Sequence, residues 1–312
     1  MTINEVSASE YVAAISSHPH IFNTPAFASL NAHKVDAVHH LLFESGGKAR
    51  FGLIVGERNG MLLTPFSAPF GGFSVNHAQR MEYVDEAVQL LCQYAKQQQK
   101  DVRVVLPPEF YDRQLITSSI SALSRFATLQ YIDVNYHFRL EHFVYYEARI
   151  DRAARKNLHR AIDADFEFKA ICRDDIQGIH TAYDVIRRNR QEHGYPLRMS
   201  LDDVMQTIGI IPADFFVMTY KGEEVAAAQV FHVAKGIAQV IYWGDLRAYS
   251  HLRPMNYFTY RLFEHYSKQG IEVLDIGPST EEGKPNYGLC DFKTAIGCEM
   301  SPKFVFVVSA NG

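Results

Sequence analysis

Two stretches of the chain run through the same order of patterns. In the first, apolar runs at Ala37 to Glu44, Phe51 to Glu57 and Met61 to Thr64 are joined through Ser45-Gly46-Gly47 and Arg58-Asn59-Gly60. Asn-Gly between apolar runs is a strong hairpin signal, because both central residues of that turn take positive φ. The runs predict three antiparallel strands. Met81, Val84, Val88, Leu91 and Ala95 then recur at helical spacing and predict an amphipathic helix over roughly 77–99. A short strand, Val102 to Leu106, follows and stops at Pro107-Pro108. In the second stretch, Phe215 to Tyr220, Glu224 to Val233 and Ile237 to Trp243 predict three strands with turns at Lys221-Gly222 and Lys235-Gly236. A helix starts at Pro254, which suits the first helical position, and runs to Gly270. The strand Ile271 to Ile276 completes the set. An offset of roughly 170 residues is far too long for a solenoid repeat and predicts duplication of a domain.

Local signals fill in the rest. Ser7-x-x-Glu10 reads as a capping box and Ser200 as a helix N-cap. Further helices are expected over 112–127 and from Ile176 to His193, an extended segment over 130–145, and a strand from Phe166 to Ile171. The reading is α+β, mixed α/β in detail, with domains at 1–148 and 149–312. Each holds a mixed, largely antiparallel sheet flanked by helices. The formal net charge of −4 disfavours a protein that grips nucleic acid through overall basicity. Cys92, Cys172, Cys290 and Cys298 form no C-x-x-C pair, and His18, His20, His39 and His40 have no companion ligands, so no metal is expected. Met1-Thr2-Ile3-Asn4-Glu5 lacks the features of a signal peptide, and no run approaches the ~18 apolar residues of a spanning helix. A soluble cytoplasmic protein without membrane insertion is the expectation. Oligomeric state is left open.

The meander–helix–strand–helix order resembles the GNAT acyltransferase fold, and two copies in tandem resemble its Fem-like branch, whose members attach amino acids to peptidoglycan precursors. The run Asp275-Ile276-Gly277-Pro278-Ser279-Thr280, then Asn286-Tyr287-Gly288-Leu289 and Asp291-Phe292-Lys293, with Gly297 and Glu299, is similar to that branch's closing motif. Ser67-Ala68-Pro69-Phe70-Gly71-Gly72 resembles its small, Pro- and Gly-rich segment, and Arg149 to Asp163 its basic linking helix. The resemblance implies that the second domain carries the acyl-transfer site. The first domain is expected to lack one and, through Gly71 and Gly72, to help bind the acceptor. The donor would be acyl-CoA, such as acetyl-CoA, or aminoacyl-tRNA; the acceptor, a primary amine on a small molecule or a cell-envelope precursor. GNAT enzymes that use acetyl-CoA hold its pyrophosphate on a glycine-rich loop at a helix N-terminus. The matching stretch here, Leu246 to Pro254, has no glycine. Arg247 and Arg253 remain as phosphate contacts.

Acyl transfer to an amine needs a polarised carbonyl, a nearby amine and a way for a proton to leave. No nucleophile elbow or Walker loop is present, so direct transfer in a ternary complex is favoured. The strand Ile237 to Trp243 matches the GNAT strand that parts from its neighbour to admit the acyl group, with Tyr242 as a catalytic candidate and Trp243 lining the donor. Asp275 ends a central strand, where it would position the amine or accept its proton. By the resemblance, Lys293 would neutralise developing negative charge. Asn286 would be a donor contact or a mere turn residue; Arg187 and Arg190 close a helix whose dipole favours cations and, with Tyr195, sit where GNAT-like proteins place acceptor-contacting loops. Arg149, Arg152, Lys156 and Arg160 fall on one helical stripe, which suits a phosphate-bearing partner such as tRNA or a solvated face. A degenerate, non-catalytic GNAT pair that binds a nucleotide or peptide ligand is the competing reading.

Overall fold

The computed structural model describes residues 1–311. They divide into two compact units. The first comprises Met1–Val134, Thr280–Lys284 and the residues from Ser301 on; the second comprises Asn135–Ser279 and Pro285–Met300. The division falls before Asn135 rather than after residue 148, and the C-terminal segment returns to the first unit.

In chain order the first unit supplies β1 (Thr2–Val6), α1 (Ala8–Ala14), α2 (Pro25–Leu30), β2 (Ala37–Ser45), β3 (Lys48–Arg58), β4 (Met61–Thr64), α3 (Met81–Gln98), β5 (Val102–Val105) and α4 (Arg113–Phe126). There follow β6 (Thr128–Arg139), α5 (Tyr146–Arg149), α6 (Arg152–Ile162), β7 (Glu167–Ile171), α7 (Ile176–His193), α8 (Leu201–Ile208), β8 (Ala213–Tyr220), β9 (Glu223–Ala234) and β10 (Ile237–Asp245). The chain closes with α9 (Pro254–Lys268), β11 (Val273–Pro278), the two-residue strands β12 (Thr280–Glu281) and β13 (Lys284–Pro285), α10 (Tyr287–Ala295) and β14 (Glu299–Val308).

The local signals act as their chemistry requires. Ser7 accepts from the Glu10 N–H while Glu10 caps Ser7 in return, and Ser200 and Asp203 repeat the device at α8. Asn59 and Gly60 both take positive φ, 52° and 74°, which matches the turn to the twist of the β3–β4 hairpin.

The duplication is visible in the sheets. The first unit orders its strands β1-β2-β3-β4-β5-β14 and the second β7-β8-β9-β10-β11-β6. In each, a three-stranded antiparallel meander leads through a long helix to a strand that pairs in parallel with the meander's last strand: β5 with β4, β11 with β10. A sixth strand then pairs antiparallel on the far side. These sixth strands are exchanged along the chain. β6 follows the first unit's α4 but pairs with β11; β14 follows α10, yet its residues Val305 to Val308 pair with β5.

In the first unit Val84, Val88 and Leu91 of α3 pack with Leu53, Val55 and Phe306. In the second, Phe138 of β6 stacks on Phe263 of α9 at 4.2 Å. Full burial of each such side chain contributes about 1.5–3 kcal/mol.

Two expectations are corrected. The segment 130–145 is extended only to Arg139; Leu140 to Tyr145 wind into a 3₁₀ turn, since Leu140 makes the last backbone bond to Glu272 and the ladder ends there. Arg149 does not share a helix with Arg152, Lys156 and Arg160. It ends α5; Ile150 and Asp151 are extended and Asp151 starts α6, so the basic stripe is Arg152, Lys156 and Arg160 alone, all exposed.

Candidate active site

The feature that organises the site is an interrupted ladder in the second unit. β10 and β11 pair through Ile237–Val273, Ala238–Leu274 and Gln239–Asp275, and no later residues of the two strands are registered. Both strands nevertheless continue, β10 to Asp245 and β11 to Pro278. Each is irregular where they part: β10 shifts register against β9 between Val240 and Tyr242, and β11 against β6 between Asp275 and Gly277. Such bulges re-aim a strand and end its pairing. The backbone edge of β10 beyond Gln239 is thereby released.

Lys293 and Asp275 hold the β11 side of this opening. Lys293 is 3% exposed, and its ammonium donates to the carbonyls of Ile276 and Gly277 at 2.9 Å and of Pro278 at 3.1 Å. Successive strand carbonyls point to opposite sides. Three in a row converge on one ammonium because Gly277, at φ +73°, breaks the alternation. Burial lowers the Lys293 pKa to about 8, against opposing pulls from Cys298, Asp275 and Cys290. Lys293 is thus no solvated helix lysine. Asp275 is fully buried. Its Oδ1 accepts from Asn135 Nδ2 at 2.8 Å and from the Gly277 N–H at 2.9 Å, and its Oδ2 from Gln239 Nε2 at 2.9 Å. The carboxylate therefore pins the bulge from inside.

On the β10 side, Tyr242 is buried and its hydroxyl accepts from the Arg198 N–H at 3.1 Å, leaving the phenolic proton to donate. Burial raises its pKa, so that proton is retained at neutral pH. Trp243, half-buried, meets Phe292 of α10 edge-on at 6.3 Å. The Arg190 guanidinium lies 5.0 Å from the Tyr242 ring centre and 5.7 Å from that of Tyr195. Its Nε is buried without a hydrogen-bond partner, it makes no ion pair among the described residues, and burial lowers its pKa. A desolvated guanidinium on aromatic faces is an anion-binding arrangement. Asn286 caps α10 by accepting from the Leu289 N–H, and its amide reaches the Tyr195 hydroxyl at 3.4 Å.

The fold therefore gathers Asp275, Lys293, Tyr242, Trp243, Arg190, Tyr195 and Asn286 about one opening. The other expected residues lie in different settings. Arg187 is exposed and bonded to Asp184. The Arg247 backbone N–H and guanidinium both bond to Glu192. Arg253, exposed and at φ +63°, separates a 3₁₀ turn from α9. Arg152 stands on the outer face of α6. Gly71 and Gly72 belong to the first unit, and their N–H groups bond to the Val105 carbonyl at 2.8 Å and to Thr64 Oγ1 at 3.0 Å. Val105 ends β5 and Thr64 ends β4. The two glycines thus seal, in the first unit, the position that stays open in the second.

Asn135 and Gln239, both buried and bonded to Asp275, are not among the sequence candidates, and neither is the buried Ser279 that follows β11. Gln239 carried a signal, a lone amide in the apolar run Ile237 to Ile241. No group of three or more potential metal ligands occurs among the described residues. No helix among them is long and apolar enough to cross a membrane.

Residues 147–293 match the family model described as Acetyltransferase (GNAT) domain. In fold, the whole chain is similar to FemX, with a TM-score of 0.71 at 12% identity over 99% of this chain and 97% of that one. It is similar to the C-terminal domain of a putative lysylphosphatidylglycerol synthetase from Agrobacterium fabrum, with TM-score 0.62, 11% identity, and 97% and 92% covered. A tandem GNAT protein from the clavulanic acid biosynthesis pathway gives TM-score 0.55, 12% identity, and 99% and 98% covered. No curated protein matches in sequence. The match to the GNAT family model thus falls mostly in the second half of the chain, and the likeness in fold to FemX and to the tandem GNAT protein spans nearly all of it.

Proposed function

We propose that the second unit transfers an acyl or aminoacyl group directly to a primary amine in a ternary complex. The parting of β10 from β11 after Gln239 carries this reading, because β10 runs on through Tyr242 and Trp243 to Asp245 with no partner registered on β11. In the reaction the amine nitrogen bonds to the acyl carbon and the C–S or C–O bond to the leaving group breaks. The amine loses one proton and the leaving group gains one. The released β10 edge stabilises the oxyanion of the tetrahedral intermediate. Tyr242, kept neutral by burial, passes its phenolic proton to the leaving group and takes back the proton that the amine gives up, so it ends the reaction as it began. Lys293 adds positive charge from behind the β11 carbonyls. With its donors already engaged, it acts as a positioning residue, and so does Asp275, whose oxygens are occupied. Arg190 holds an anionic part of donor or acceptor.

The donor is aminoacyl-tRNA or an acyl-CoA. The β10–α9 loop favours the first, since its N–H groups at Arg247, Tyr249, Arg253 and Asn256 all bond to protein acceptors. The acceptor is an amine on a small molecule or a cell-envelope precursor, and the likeness to a lysylphosphatidylglycerol synthetase supports the envelope. A single-turnover assay with acetyl-CoA and with alanyl-tRNA, across a panel of primary amines, tests the reading. Transfer from either donor, lost in Tyr242→Phe, is the expected result. Binding without turnover across the panel would leave a non-catalytic ligand-binding pair instead.

A further inference from the structure

Gln239 sits at the closed end of the opening, the last β10 residue with a partner on β11. Its Nε2 donates to Asp275 Oδ2 at 2.9 Å. A carboxylate only accepts, so this bond fixes which way the amide faces. The other end, Oε1, is left buried without a hydrogen-bond partner. Ser279, immediately after β11 and 3% exposed, holds a second such atom in its Oγ. Buried acceptors are nearly always met, and leaving one unmet is costly. Here the unmet acceptor belongs to the last paired residue before β10 and β11 part, where, on the reading above, an acyl group is received. A carbonyl placed against the freed edge of β10, beyond Val240, directs its own tail toward the last rung of the ladder. The atom on the carbon next to the carbonyl would then be the one directed at the Gln239 amide.

We infer that Gln239 is a specificity residue: its Oε1 accepts from an N–H or O–H on the carbon adjacent to the transferred carbonyl, so the site selects α-amino or α-hydroxy acyl groups over plain alkyl ones. This rests on the proposed acyl-transfer site. A methyl or methylene there leaves Oε1 unmet, and the penalty falls on that ligand alone.

Three thioesters of pantetheine test it: propionyl, alanyl and lactyl, which match in chain length and differ in the α-substituent. Trp243 is the sole tryptophan, so its fluorescence reports occupancy of the opening directly, without turnover. The full-length protein should bind the alanyl and lactyl esters at least about tenfold more tightly than the propionyl ester. Gln239→Leu should reduce that ratio to near one. Equal binding of all three by the unaltered protein overturns the inference and leaves acyl transfer standing, and that comparison needs no variant. A folded Gln239→Leu protein with the ratio intact also overturns it. If none of the three perturbs Trp243, the acyl group does not lodge there, and the inference falls together with the site it rests on.

Discussion

The ammonium of Lys293 lies 2.9 Å from the carbonyl oxygen of Gly277, and the conformation of each residue depends on the other. Gly277 turns its carbonyl out of the strand's alternation through its positive φ. Lys293 meets that carbonyl and those on either side, which β10 no longer serves. Lys293→Met should therefore lose transfer activity by tenfold or more, and should also alter the pH dependence of stability. The side chain's pKa is lowered by burial from the ordinary 10.5 to about 8. Between those values the unfolded chain holds a proton that the folded chain has released, so stability rises with pH across the window; below about pH 8 the fold bears the full cost of a buried charge. Urea unfolding at pH 7.5 and pH 10 should show the unaltered protein gaining up to about 3 kcal/mol relative to Lys293→Met. Parallel curves for the two proteins would refute it.

Asp275 accepts from three donors, two of them side-chain amides. Asn at this position offers one acceptor oxygen and turns an NH₂ toward a donor. Asp275→Asn should cost about 1–3 kcal/mol in urea unfolding and lower turnover. If Asp275 only positions the bulge, the pH–rate profile keeps its shape at reduced height. Loss of the acidic limb would instead make it the base that takes the amine's proton.

Arg190 bears a half-buried charge with no ion pair among the described residues. Removing an unpaired buried charge relieves a desolvation cost. Arg190→Met should therefore raise the melting temperature while weakening substrate binding, with the salt dependence of binding reduced. A lower melting temperature would mean that the guanidinium contributes to the fold itself.

The parts of this molecule legible from the sequence are those whose causes are local. The Asn59-Gly60 turn, the Ser7 and Ser200 caps and the Pro254 helix start each depend on a few adjacent residues, and each formed as its chemistry implied. The Asp275 to Lys293 motif named two residues that the fold brings to the same strand, Asp275 within β11 and Lys293 bonded to its carbonyls. Exchange of β6 and β14 between sheets left no local trace, because a strand's composition does not name its partner. Burial of Lys293 was equally hidden: one lysine on a helix looks the same from sequence whether it meets water or three carbonyls. Gly71 and Gly72 are read from the sequence as acceptor contacts, and their N–H groups bond to Val105 and Thr64, partners that no local pattern names.

The loop between β10 and α9 yields the sharpest prediction about the donor. A pyrophosphate held at a helix N-terminus needs N–H groups that point outward and are unoccupied. Here the Arg247 N–H bonds to Glu192 Oε2 at 2.8 Å, Tyr249 to the Leu246 carbonyl at 2.9 Å, and Arg253 and Asn256 to the Ser250 and Arg253 carbonyls at 3.1 Å. Pro254 has no N–H to give. The Arg247 guanidinium, one of the two arginines of this loop, bonds to the Glu192 carbonyl at 2.7 Å. Titration calorimetry should accordingly find CoA and acetyl-CoA binding more weakly than ~1 mM. Glu192→Ala removes the acceptor of the Arg247 N–H and loosens that residue's hold on α7, so it should strengthen CoA binding measurably. Micromolar binding of CoA to the unaltered protein would mean that the 3₁₀ turn unwinds to form a phosphate cradle, and would return acyl-CoA to first place among the donors.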